Sequence, residues 1–165
     1  MGKSEKHARD WKTTTLQVIV DARNLYKHSV KIMGNPKVFN PSNDFMNSTL
    51  IRIQEEFLSV YMNAWEANRV NAVKDPSLAQ RRLSLQTEAI DGCHRLLCLL
   101  ELAKSQFHLN SRKFWYWMNL LCDLGMKLKA WKDSDAKRYD EVKQELKNNL
   151  DAQQDGCRLN ASRQC

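Results

Sequence analysis

The sequence predicts an all-α protein: an antiparallel up-down-up-down four-helix bundle with an appended C-terminal helix. Three observations carry this. Gly and Pro are scarce, at five and three copies in 165 residues, while Leu, Lys, Ala, Glu and Gln dominate, which favours helix over turn-rich β structure. Apolar residues recur at steps of three and four along several segments, the period of an amphipathic helix. The strongest breaks, Gly34-Asn35-Pro36 and Asp75-Pro76-Ser77, fall between those segments. A chain of this length buries roughly 70% of its unfolded surface, enough for one sizeable core.

The first helix is expected over 16–33, with Ile19, Tyr26 and Met33 on one face. It follows a polar arm, residues 1–15. The second, 44–72, has the cleanest periodicity: Met46, Leu50, Ile53, Phe57, Val60, Ala64 and Ala67 form one face. Ser42, Asn43 or Asp44 can cap it after Pro41. Ile51, Leu58 and Trp65 add a thinner stripe at intervals of seven. The third, 77–107, carries Leu83, Ile90 and Leu97, then Cys93, Leu100 and Phe107, with Leu96, Leu99 and Leu102 widening the apolar surface. The fourth, 111–132, starts at an Asn110/Ser111 cap. Short connections between the second, third and fourth helices make these neighbours antiparallel. The bundle thus spans 16–132. Asp133-Ser134-Asp135 then opens a charged C-terminal helix and tail, 133–165, with a thin stripe of Tyr139, Val142, Leu146 and Leu150.

Helix four opens on a run of aromatics. Phe114, Trp117, Leu121, Leu124, Leu128 and Trp131 share one face, while Trp115, Met118, Cys122 and Met126 share a second, about 100° away. The second face is either a broad core stripe with exposed aromatics or a surface for another chain, where Trp and Met are over-represented. Doubled stripes on helices two, three and four favour an interface made by Trp65, Trp115, Met118, Cys122 and Met126, with Tyr116 across the rim.

No run of about eighteen apolar residues is present, so no membrane span is expected. The N-terminus lacks the apolar region of a secretion signal, and Lys6 stands where a myristoylation signal needs Ser or Thr. A cytoplasmic location is expected, and with it reduced thiols at the five cysteines 93, 98, 122, 157 and 165, three of them core residues. The sequons at Asn47 and Asn160 are then chance matches.

No Gly-rich phosphate loop, nucleophile elbow or HExxH motif appears, and the four histidines are scattered. His94 and Cys98, four apart with Cys93 adjacent, fall short of the paired ligands of structural zinc. Glu55-Glu56 and Asp91 read as solvated or ion-paired carboxylates. The expectation is a protein without catalytic residues, metal or cofactor.

The formal net charge is +7. It concentrates in 16–43, at +3, and 111–132, at +4, against −1 for 44–74 and 0 for 75–110. A polyanion partner follows naturally. One bundle end is expected to gather Arg69, Lys74, Arg81, Arg82, Lys127, Lys129 and Lys132. The helix dipole accounts for Lys74, Lys127 and Lys129, near helix C-termini, but not for Arg81 and Arg82 in the first turns of helix three. These two are the leading candidates for phosphate contacts, so replacing both with Ala should weaken polyanion binding and flatten its salt slope. Lys27, Lys31, Lys37, Lys104, Arg112 and Lys113 gather at the opposite end.

Laid out this way, residues 16–132 resemble the accessory variability determinant (Avd) family, small four-helix proteins of diversity-generating retroelements. Leu99-Leu100, Leu102, Lys104 and Leu109 resemble that family's LLRL-K…LS passage. Phe114, Leu121, Asp123, Gly125, Leu128 and Trp131-Lys132 fall where the family has Q-Y…D-E-(I/V)-G-R-M-L-G-G-W-K. Arg52-Ile53-Gln54 and Glu66-Ala67 fit helix two. The departures are Lys129-Ala130 for Gly-Gly, Met126 for Arg, and Trp115 and Trp117 at polar positions. The resemblance implies a homopentameric, barrel-like, non-catalytic assembly that binds the retroelement's reverse transcriptase and its template RNA, with DNA a further candidate, to support mutagenic cDNA synthesis. The alternatives are a four-helix protein of the ribosomal-RNA intervening-sequence type, and a protein-interaction adaptor without nucleic-acid affinity.

Overall fold

The computed structural model describes residues 16–39, 44–72 and 75–161. Four helices run in order: α1 (Gln17–Met33), α2 (Asp44–Arg69), α3 (Ala79–Phe107) and α4 (Ser111–Ala161). A 3-10 turn, Pro76–Leu78, leads into α3. Asp75 caps this turn, its carboxylate accepting from the Ser77 backbone N–H at 3.0 Å. Each helix packs on its sequence neighbours, and α1 closes against α4, so the four surround a common core.

Cross-helix ties fix the directions. Arg95 of α3 meets Glu56 of α2 at 2.8 Å, while Arg82 of α3 reaches the Ala67 carbonyl near the other end of α2. Lys127 of α4 meets Asp21 of α1, whereas Trp117 meets Ser29. The pairings run in opposite senses along each pair, giving the expected antiparallel bundle.

The predicted core stripes are where the periodicity put them. On α2, Ile53, Phe57, Val60, Ala64 and Ala67 are buried, and on α4 Phe114, Trp117, Leu121, Leu124 and Leu128 are. Trp131 closes the α4 stripe half-buried. Trp117 stacks on Phe57, with centroids 5.7 Å apart and planes 10° from parallel, and its indole N–H donates to Ser29 Oγ at 2.8 Å. A buried indole N–H needs such a partner, which explains a polar Ser29 on the inner face of α1.

One glycine sets the spacing of α2 and α3. A Cβ on Gly92 would stand 2.6 Å from Val60 Cγ2 and 3.0 Å from Glu56 Oε1. Val60 is buried, and a β-branched side chain has essentially one χ1 rotamer in a helix, so it cannot swing away. Gly92→Ala gains up to about 1 kcal/mol of helix propensity but incurs roughly 1–3 kcal/mol of overpacking. The expected result in urea denaturation is net destabilisation; a more stable variant would show that α2 and α3 are not held at this spacing.

Two expectations change. The break at residue 133 does not exist: α4 runs unbroken through Asp133-Ser134-Asp135 to Ala161, 51 residues and about 76 Å at 1.5 Å per residue. Asp135 is no helix start but a buried side chain, 2% exposed. Of the cysteines expected in the core, only Cys93 is buried, and Cys98 and Cys122 are exposed. Burial, with Cys122 and Glu56 nearby, pushes the Cys93 thiol up to about 12, so it behaves as a small apolar group. Among the described residues no helix is long and apolar enough to cross a membrane.

Candidate nucleic-acid interface

Of the seven cations expected at one bundle end, the structure brings Arg69 and Arg82 to one cavity, with Arg138, and ties several of the seven into internal contacts. Arg82 is the main correction. Its Nε donates to Asp135 Oδ2 at 2.7 Å, and its Nη1 donates to the carbonyls of Val70 at 3.0 Å and Ala67 at 3.2 Å. The guanidinium also lies over the Trp131 ring, 5.1 Å from the centroid. Arg82 therefore bridges the end of α2 to α4 and has little left to offer a phosphate. Its place in the first turn of α3, unfavourable for the helix dipole, is explained by this tie. Gln86 donates to the same Asp135 oxygen at 2.7 Å.

The others divide. Lys127 pairs with Asp21 at 2.6 Å, and this hydrogen bond, more than that from Gln17, holds the Asp21 carboxyl below its usual range. Arg69 lies over the Trp65 ring at 4.7 Å. Lys74 lies outside the described residues. Among the described residues, Arg81, Lys129 and Lys132 make no ion pair, and they are what remains of the predicted cluster.

The second apolar face of α4 also splits. Met118 is a correction: at 7% exposed it belongs to the buried core cluster. Trp115 and Met126 are 53% and 63% exposed, and Cys122 is exposed beside them. Lys104 of α3 caps the stripe, its Nζ 4.9 Å from the Trp115 ring centroid. Trp65 is half-buried on a different helix. Ile51 and Leu58 of the thin α2 stripe are exposed. Tyr116 does not lie across the rim between the Phe114/Trp117 and Trp115/Met118 faces. It stands on the α1 side, edge-on to His28 with centroids 6.0 Å apart.

The opposite end is the better-formed site. A groove of about 860 Å³ opens between the end of α1, the turn after it, the α3–α4 connection and the start of α4. Lys31, Lys37, Arg112 and Lys113 line it, with no Asp or Glu among its described lining. None of the four forms an ion pair among the described residues. Its base is aromatic: Phe39 packs edge-on against Phe107 at 4.9 Å and against Trp117 at 6.2 Å.

Local sequence builds each wall. The Asn35 carbonyl accepts from the N–H groups of Val38 and Phe39, and its side chain accepts from Lys37 N–H at 3.0 Å. This turn folds Phe39 inward and leaves Lys37 outside. At the other wall, α3 ends on His108 in the left-handed region, φ 48°, where Gly is usual. Asn110 then caps α4, its Oδ1 accepting from the N–H groups of Arg112 and Lys113 at 3.1 and 3.3 Å. The helix start thus has its cap already, and the groove's charge comes from side chains. Arg112 and Lys113 occupy a first turn with no acidic residue, the reverse of what the dipole favours. No buried partner repays that placement, unlike the case of Arg82.

Sequence reasoning placed Lys31, Lys37, Arg112 and Lys113 at one end and ranked the other end first; the structure gathers these four around one groove. The missed signal lies in the spacing of acids. Residues 22–43 and 102–122 contain no Asp or Glu and seven Lys or Arg. Four of the seven, Lys31, Lys37, Arg112 and Lys113, meet at this groove. Among the described residues no group of three His, Cys, Asp or Glu is placed to hold a metal. Comparison of the chain with known protein families, curated proteins and solved structures gives no match.

Proposed function

We propose that this chain is a non-catalytic accessory protein that binds RNA through the acid-free end of its bundle. Following the resemblance to the Avd family, the proposal extends to a retroelement reverse transcriptase as protein partner. One observation carries the RNA reading: two acid-free stretches bring four cations without counter-charge to one groove. Such a surface attracts a phosphate backbone by releasing its counterions, with strong salt dependence and little reading of sequence.

The exposed stripe of Trp115, Cys122 and Met126 supports a second surface, for protein. Trp and Met here are the residue types that interfaces favour. The homopentamer and the polymerase both belong to this part of the proposal.

The test uses the full chain. Its affinity for a fluorescent RNA should fall log-linearly as salt rises from about 50 to 200 mM. Arg112→Ala with Lys113→Ala should reduce the slope by roughly 0.7 for each single-strand phosphate that is no longer neutralised. Size measurement should return an oligomer, and co-purification should recover the polymerase. A monomer indifferent to RNA at the lowest salt would overturn both parts.

A further inference from the structure

The groove is more apolar than a track for phosphates needs to be. A duplex presents its backbone on a convex surface and keeps its bases stacked inside, so a basic ridge is enough to hold it. Here the cations Lys31, Lys37, Arg112 and Lys113 ring a concavity of about 860 Å³, within the range of pockets that take small organic molecules, about 300–1,000 Å³. Its inner wall is Phe39, Phe107 and Trp117, and Tyr116 stands 58% exposed at its edge.

Core packing does not require that tyrosine, which also borders a smaller cavity with Asp21 and Asp123 on its other side. The core needs Phe114 and Trp117 on either side of it, and both are buried. Tyr116 meets only the edge of the His28 ring among the described aromatic contacts, and its hydroxyl makes no hydrogen bond among those described. An exposed aromatic at the mouth of an acid-free basic pocket is the arrangement by which proteins hold unpaired bases: cations take the phosphates, and the ring stacks on the base.

Resting on the RNA reading above, we infer that the groove accepts an unpaired nucleotide of single-stranded RNA, with its base against Tyr116 and its flanking phosphates on Lys31, Lys37, Arg112 and Lys113. The bundle thereby prefers single strands to duplex, although charge density alone favours the duplex.

The experiment compares the full chain binding one fluorescent RNA of about 10 nucleotides, within the usual span of single-strand sites, with the same RNA annealed to its complement, at matched salt. The unpaired strand should bind roughly tenfold tighter or more, the worth of one stacked base. Tyr116→Ala should abolish that preference by weakening single-strand binding alone, while Tyr116→Phe keeps it. Tyr116 is exposed, so the variant should retain the parent's melting transition, checked by circular dichroism. Equal affinity for the two forms, or an equal loss for both in Tyr116→Ala, would overturn the single-strand site while leaving RNA binding intact. Absence of salt-dependent binding to either form would instead sink the RNA reading, and this inference with it.

Discussion

Asp135→Ala is expected to destabilise the protein by about 3–5 kcal/mol. The carboxylate is buried and receives Arg82 Nε and Gln86 Nε2, each at 2.7 Å, on one oxygen. Its removal leaves a nearly buried guanidinium without its counter-charge and a buried amide without an acceptor. Gln86 is already short of one partner, its Oε1 being buried and unbonded. Arg82 also satisfies the last carbonyls of α2, so its displacement loosens the α2–α3 turn as well as the α3–α4 contact. The loss should appear in urea unfolding as a lower midpoint at constant slope, and in melting as a fall of roughly 10 °C for a chain of this size. Adding Arg82→Met should recover part of it, because a buried charge pair is costly mainly when half of it is removed. A single-variant loss below about 1 kcal/mol would mean that the pair is solvated.

Trp117→Ala should cost a similar amount, about 3–5 kcal/mol. The indole joins three helices: it belongs to α4, stacks on Phe57 of α2, and donates to Ser29 of α1. Truncation empties the centre of the core and leaves the Ser29 hydroxyl without that donor. Trp117→Phe keeps the stacking ring but loses the N–H, so it should cost appreciably less, with the missing hydrogen bond contributing about 1 kcal/mol. The difference between the two variants in chemical denaturation separates ring packing from hydrogen bonding. Equal losses would assign the whole effect to the Ser29 hydrogen bond. Phe39 also leans on Trp117, so the Ala variant should deform the groove floor and weaken RNA binding beyond its effect on stability.

Periodicity made the fold legible. Steps of three and four placed the α2 and α4 core faces because each helix has one inward direction and the residues on it must be apolar. What the stripes could not resolve was the width of that face. Met118 and Trp115 belong to the same second stripe, yet Met118 is core and Trp115 is surface, a boundary that periodicity does not set. The polar ties were also hidden. Arg82 and Asp135 lie 53 residues apart, and nothing in local sequence pairs them. Asp133-Ser134-Asp135 looked like a helix start because Asp and Ser cap helices; a tertiary partner for Asp135 overrides that preference within a continuous α4.

The site was half legible. Lys31, Lys37, Arg112 and Lys113 were placed at one end from helix order alone. Their precedence over Arg82 depended on which cations had acidic partners, and pairing is a property of the fold. The groove itself arises from Asn35 turning Phe39 inward and from His108 ending α3, neither of which periodicity encodes.

The most direct measurement of whether the acid-free end holds RNA is a salt titration of affinity on two full-length variants that lose equal charge. One is Lys31→Ala, Arg112→Ala and Lys113→Ala together; the other is Arg81→Ala, Lys129→Ala and Lys132→Ala together. The first should lose most of its affinity and slope, and the second should stay close to the parent protein. Equal losses, or a larger loss from the second, would contradict this assignment.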